Sequence, residues 1–96
     1  MVTHIPYYQV LEKMERFIRK HDPLFFNWEI GITDHPEKSL FELYGVDRES
    51  DIWFFQDVPT SHEAEKILRY FLNLGCIEIN HRSGHACCIF AFRRKD

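Results

Sequence analysis

Residues 26–33 of this 96-residue chain have the sequence FNWEIGIT, and this stretch decides the fold. Large apolar side chains alternate with small or polar ones along it: Phe26, Trp28, Ile30 and Ile32 against Asn27, Glu29, Gly31 and Thr33. A period of two residues is typical of a β-strand with one buried face. The stretch therefore predicts a strand against which the neighbouring elements pack.

Helical patterns lie on both sides of this strand. Apolar side chains recur at helical spacing within residues 6–20, and a second helix is predicted from about Pro36 to Tyr44, ending at Gly45. The third helix begins at the capping box Thr60-Ser-His-Glu63 and ends at Gly75. Further strands are predicted over residues 52–55, 76–79 and 86–92.

These elements predict an α/β (α+β) fold in the order α-β-α-β-α-β(β). Helices pack as a layer on a small, mainly antiparallel sheet of three or four strands. With 45% hydrophobic residues and nine Phe, the chain has the material for a core and lacks the composition of a disordered segment. Its length suits a single domain over residues 1–96.

Charge and cysteine content restrict the function classes. The net charge is −3, and residues 23–65 carry ten acidic and two basic side chains, which argues against a general nucleic-acid binder. There is no apolar run long enough to cross a membrane, and residues 1–6 lack the features of a secretory signal. Three cysteines are a poor disulfide framework, so we expect reduced thiols in a cytoplasmic protein.

Trp28-Glu-Ile-Gly-Ile-Thr33 resembles the second half of the GIY-YIG nuclease signature, the strand usually written Tyr-Ile-Gly-x-Thr. The order of elements that follows is similar as well: a helix reached through an Asp/Pro turn, an aromatic strand, and a helix opening with Glu63-Ala64 and continuing through Tyr70-Phe71-Leu72. The resemblance covers about residues 26–74.

The resemblance implies DNA cleavage by tyrosines, a phosphate-binding Arg and a metal-binding Glu. This chain departs from that pattern, with Trp28 at the tyrosine position, Ser39 at the Arg position and Leu68 at or near the Glu position. The resemblance therefore favours a non-catalytic binding or interaction domain on a degenerate GIY-YIG-like scaffold. Its first strand is missing, and residues 88–92 are a candidate to take that place in the sheet.

The expected ligand-binding surface consists of Gly31, Thr33, Lys38 and Tyr70. Gly31 would let a backbone or a phosphate approach closely, because it has no Cβ. Both a protein partner and nucleic acid are open as ligands.

Two other functions stay open. In the first, the protein is a metal-dependent nuclease or phosphodiesterase in which Lys38 replaces the Arg and Glu63 or Glu65 holds Mg²⁺. In the second, it is a small homodimer formed through an exposed strand edge or an aromatic patch. Outside the nuclease alternative, no cofactor is predicted.

Zinc is a further hypothesis, since thiolate and imidazole ligands occur within twelve positions at Cys76, His81, His85 and Cys87. The spacing matches no common zinc finger, and no Cys-x2-Cys clamp is present. Buried strand cysteines and two histidines on a solvated turn are the favoured interpretation.

A basic cluster and an aromatic cluster each allow both a binding function and a purely structural interpretation. Arg82 and the run Arg93-Arg94-Lys95 could meet phosphates or be solvated. The aromatic side chains could stack on single-stranded bases or fill the core, the latter being favoured in so small a domain: Trp28, Trp53, Phe54 and Phe55.

Overall fold

The computed structural model describes residues 6–79 and 86–94. Two α-helices and four strands follow one another, with a 3-10 turn before the first strand and a π-helix after it. Their bounds are α1 Tyr7–His21, the 3-10 turn Phe25–Asn27, β1 Trp28–Thr33, the π-helix Lys38–Leu43, β2 Trp53–Asp57, α2 Ser61–Leu74, β3 Ile77–Glu78 and β4 Cys88–Arg93.

The strands form one mixed sheet in the order β2-β4-β1-β3. β4 is antiparallel to both β1 and β2, whereas the two-residue β3 runs parallel to β1. Phe90 lies opposite Gly31 on one side and opposite Phe55 on the other. The predicted α/β class and mostly antiparallel sheet are confirmed.

Both faces of the sheet are covered, so the fold has three layers instead of the predicted two. Trp28, Ile30 and Ile32 of β1 pack with α1 and α2 in the larger core. On the opposite face, Phe90 and Phe92 of β4 form a smaller core with side chains of the π-helix and of the residues after it. The third layer exists because β4 directs large aromatic side chains to the face where β1 presents small or polar ones.

The predicted second helix is π-helical over its main part. The Tyr44 amide donates to the carbonyl of Ser39 at 3.0 Å, five residues back, as a π-helix requires. Gly45 follows with a φ of 65°, the left-handed conformation that the sequence predicts for it. Tyr44 is thereby held over the sheet, its ring centroid 6.1 Å from that of Phe90 and 5.8 Å from that of Phe92.

The helix α2 begins and ends at the residues that the sequence indicates. Thr60 Oγ1 accepts a hydrogen bond from the Glu63 amide at 3.2 Å, the first half of the predicted capping box. Gly75 ends the helix with a φ of 116°, a conformation that side chains with a Cβ rarely adopt. By contrast, the strand predicted from Phe26 begins at Trp28, because the Asn27 amide bonds the carbonyl of Leu24 at 3.0 Å and closes a turn.

Gly31 is required by the packing of the ring opposite it. A Cβ added to Gly31 would lie 2.9 Å from Cζ of Phe90, closer than real Cβ contacts occur. Phe90 is fully buried and has little room to move aside. The close approach that glycine permits here is therefore used by the protein's own core.

We expect Gly31→Ala to lower the free energy of unfolding by about 1–3 kcal/mol, the usual cost of overpacking a core. Urea denaturation would measure this change. In a Phe90→Leu background the same substitution should cost much less, because the conflicting ring atoms are gone. An equal cost in the two backgrounds would contradict this account of Gly31.

A buried carboxylate joins the end of α1 to β4. Asp22 accepts hydrogen bonds from Arg93 Nε at 2.6 Å, Asn27 Nδ2 at 2.9 Å and the Leu24 amide at 3.1 Å. Its backbone carbonyl accepts from the Trp28 indole at 2.8 Å. These three hydrogen bonds lower the pKa of Asp22. The bond from Arg93 has the largest effect, followed by those from Asn27 and Leu24.

Because that pKa is lowered by folding, Asp22 stabilises the protein above its ordinary pKa of about 4, and the contribution is lost as the pH falls through the folded-state value. Asp22→Asn should therefore be less stable than wild type at pH 7 in urea denaturation. The difference should shrink toward pH 2. Glu12→Gln, which disrupts only an exposed ion pair with Arg16, is the control and should change little. A difference for Asp22→Asn that does not vary with pH would refute the assignment.

Candidate functional site

Two of the four expected ligand-binding residues are buried within the domain. Gly31 lies under Phe90, and Thr33 is 6% exposed. The hydroxyls of Thr33 and Ser39 share a hydrogen bond of 2.8 Å, and Thr33 Oγ1 also accepts from the His35 amide at 3.0 Å. These groups fix the start of the π-helix against β1 and leave little surface for a ligand.

The other two expected residues lie in different layers. Lys38 is exposed at the start of the π-helix, whereas Tyr70 belongs to α2 on the opposite face of the sheet. Tyr70 Oη donates to Glu15 Oε1 of α1 at 2.6 Å. That bond is the largest cause that raises the pKa of Tyr70 and lowers the pKa of Glu15. Gly31, Thr33, Lys38 and Tyr70 therefore do not form one surface.

The positions that correspond to catalytic residues in the GIY-YIG resemblance make contacts inside the protein. Trp28 is fully buried and its indole is bonded to Asp22, Ser39 is bonded to Thr33, and Leu68 lies in the larger core. β4 pairs with β1 along the whole length of β1.

Glu63 and Glu65 lie on the first two turns of α2. Two residues apart, they project from the helix in different directions and do not form a carboxylate pair. The Oε2 atom of Glu63 is buried with no hydrogen-bond partner in the part of the chain described. Within residues 6–79 and 86–94, no three His, Cys, Asp or Glu side chains are grouped to hold a metal ion.

The two cysteines of the zinc hypothesis, Cys76 and Cys87, both lie at the larger core. Cys76 is buried and Cys87 half-buried, while Cys88 lies on the other side of its strand, paired with Asp57. Burial raises the pKa of Cys76 and of Cys88 to about 12. His81 and His85, like Arg82 and Lys95 of the basic cluster, lie outside the described residues.

All three cysteines are free thiols, and their burial predicts different reactivity toward iodoacetamide. In native protein at pH 8, Cys87 should be alkylated well before Cys76 and Cys88, whose thiolates form rarely and lie beneath other side chains. Peptide mass spectrometry over a time course would give the three rates. In urea the rates should become similar. Labelling of Cys88 as fast as that of Cys87 in the native state would contradict this order.

β2 forms one edge of the sheet, where it pairs with β4 and with no other described strand. The Ile52 carbonyl accepts from the Arg93 amide at 3.0 Å, and the Val58 amide donates to the Cys87 carbonyl at 2.9 Å. In an antiparallel pair, residues bonded to the neighbouring strand alternate with residues whose backbone groups point away from it. The odd-numbered residues between these two bonds therefore direct their amides and carbonyls away from β4.

Those residues are Trp53, Phe55 and Asp57. The Asp57 carbonyl accepts from the Gln56 side chain at 3.3 Å, and β2 is the last strand of the sheet on this side. The amide and carbonyl groups of Trp53 and Phe55 thus face outward, where no strand of the described chain pairs with them. Neither proline nor lysine lies within β2 to block pairing.

Aromatic rings lie next to this edge and form what we call the β2 shelf, consisting of Phe41, Trp53 and Phe55. Trp53 and Phe55 are stacked with centroids 5.9 Å apart and an interplanar angle of 13°, and Phe41 meets Trp53 edge-on at 5.0 Å. All three rings are only half-buried. Of the other aromatic side chains that could stack on bases, Trp28 lies in the larger core and Phe54 packs against it, so neither is part of the shelf.

The opposite edge of the sheet is much shorter. β3 has two residues, against five in β2, although Ile77 and the nearby Leu74 and Phe26 are exposed apolar side chains. β2 therefore offers the longer template for another strand. Sequence reasoning found the aromatic strand at 52–55 but not its position at the edge, since strand order depends on distant pairing.

No helix in the described part of the chain is both long and apolar enough to cross a membrane. No protein-family model, no curated protein and no solved structure matches the chain.

Proposed function

We propose that this protein is a non-catalytic interaction domain on a degenerate GIY-YIG-like scaffold, acting in the cytoplasm, and that it holds an extended segment of a protein partner against β2. The observation that carries the proposal is the open edge of that strand. Its outward amides and carbonyls at Trp53 and Phe55 match the hydrogen-bonding needs of an added strand. The free thiols of the chain fit a reducing compartment.

An added strand would gain affinity from the backbone and further contact area from the β2 shelf. Half-buried rings beside a pairing edge can be covered by alternate side chains of the incoming segment. The Trp53 ring is fixed in position beside the edge, because its indole N–H donates to the Arg48 carbonyl at 3.1 Å.

The internal contacts of Trp28, Ser39 and Leu68 support a non-catalytic function over a nuclease. The basic residues that nucleic acid would need are also partly neutralised within the domain. Arg93 is paired with Asp22, and Arg94 lies 3.8 Å from Glu29. Such pairing reduces the charge available to phosphates.

A matched pair of variants tests the binding edge. Phe55→Pro and Phe55→Ala both remove the ring, but only proline removes the outward amide, and it should leave the bonds to β4 intact. Twelve-residue peptides selected by display on the wild-type domain serve as probes. We expect the selected peptides to shift the Trp53 and Phe55 amides in NMR spectra. Their affinity should fall at least about tenfold more in the Pro variant than in the Ala variant.

Equal affinity for the two variants, or shifts confined to other elements, would overturn the proposed edge. Matching circular dichroism and urea denaturation of both variants confirms that they fold alike. A separate assay with single- and double-stranded DNA and Mg²⁺ addresses the nuclease alternative. Cleavage that Glu63→Gln or Glu65→Gln abolishes would overturn the non-catalytic function.

A further inference from the structure

We propose that the segment bound at β2 is basic and carries arginine at every second position, on the side of the sheet that bears the β2 shelf. This inference rests on the proposed function and deepens it by naming the chemistry of the partner. It combines the open backbone edge, the exposed rings and the charge around them.

The surroundings of the open edge are acidic. Residues 47–57, which comprise β2 and the loop before it, carry four acidic side chains and one basic side chain. The one basic residue is already engaged, because Arg48 lies 3.0 Å from Glu37 and its guanidinium lies 3.9 Å from the Phe41 ring centroid. A cationic segment would be drawn to this edge, and an anionic one repelled.

Side-chain alternation places Asp57, the one charged residue of β2, on one side of the sheet. Trp53, Phe55 and Asp57 project to the face covered by the π-helix, whereas Phe54 packs with the larger core. An incoming strand would set alternate side chains beside this row. Arginine suits these positions, because its guanidinium can stack on the Trp53 and Phe55 rings and also bind the Asp57 carboxylate.

The other face of the same strand favours neutral residues. There Lys13 of α1 reaches over β2, its Nζ 3.4 Å from Gln56 Oε1. A cation on the incoming strand would be repelled by Lys13 on this side. The edge therefore selects an alternating pattern of arginine and neutral residues over a uniformly basic one.

A second copy of this chain fits the edge less well. Antiparallel pairing of β2 with itself about Phe55 would set Asp57 opposite Trp53 of the second copy. β2 contains no lysine or arginine, so such a pair brings no cation to the Asp57 carboxylates. We therefore assign the edge to a basic segment of a partner protein. The experiments below would also detect self-association.

Three nine-residue peptides provide the test: alternating Arg-Thr, the same peptide with citrulline in place of arginine, and the same with glutamate. Citrulline keeps the planar shape of the arginine side chain but replaces the charged guanidinium with a neutral urea group, which has fewer N–H donors. NMR titration of the wild-type domain, followed at the Trp53 and Phe55 amides, should give a dissociation constant for the Arg peptide about tenfold below that for the citrulline peptide. The Glu peptide should bind most weakly.

Asp57→Asn should remove much of the preference for arginine while leaving the citrulline affinity unchanged. Glu78→Gln, which removes one negative charge at the opposite edge of the sheet, is the matched control and should keep the preference. Raising the salt concentration should weaken binding of the Arg peptide alone.

The outcomes separate the inference from the proposed function. Equal binding of the Arg and citrulline peptides at β2 overturns the charge preference and leaves the binding edge in place. If neither these peptides nor the displayed ones shift the β2 amides, the proposed function fails as well. A dimer in gel filtration that Phe55→Pro dissociates and Phe55→Ala does not would assign the edge to a second copy and overturn the inference.

Discussion

The backbone hydrogen bonds of β4 are the interaction on which the rest of this structure depends. β1 and β2 do not pair with each other; each is bonded to a different side of β4. Without β4, β1 and β2 would be separate, and neither face of the sheet could form. The side chains of β4 serve both cores as well, since Ile89 and Ala91 pack toward the helices and Phe90 and Phe92 toward the π-helix.

The position of β4 is fixed by two contacts of different kinds, one at its C-terminal end and one near its middle. At its C-terminal end, the Arg93 guanidinium holds the carboxylate that also closes the turn after α1. Near its middle, Phe90 fills the space left by Gly31. A shift of β4 by one residue would exchange its two side-chain faces, so these contacts specify the register as well as the pairing. The GIY-YIG likeness remains a proposal, and it would place this strand where that family has its first strand.

The helices were predictable from sequence because their signals are local. The apolar spacing of α1 and the Thr60 and Gly75 caps of α2 lie within the helices or next to them. The strand order, the third layer and the π-helix depend on residues far apart in the chain. Gly31 and Thr33 look like a solvated strand face until Phe90 is placed opposite Gly31 and Ser39 is bonded to the Thr33 hydroxyl. The sequence also groups Tyr70 with Gly31, because the apolar pattern of a helix does not indicate which face of the sheet the helix covers.

The central position of β4 also affects the order in which the protein can fold during synthesis. When a ribosome has made the chain only as far as α2, both β1 and β2 exist but the strand that joins them does not. The nascent domain therefore leaves β1 and β2 without their shared partner strand until residues 88–93 emerge. Such strands are sites of intermolecular association. Shielding by a chaperone, or rapid translation of the segment between α2 and β4, would matter more for this chain than for a domain in which each strand pairs with the one made just before it.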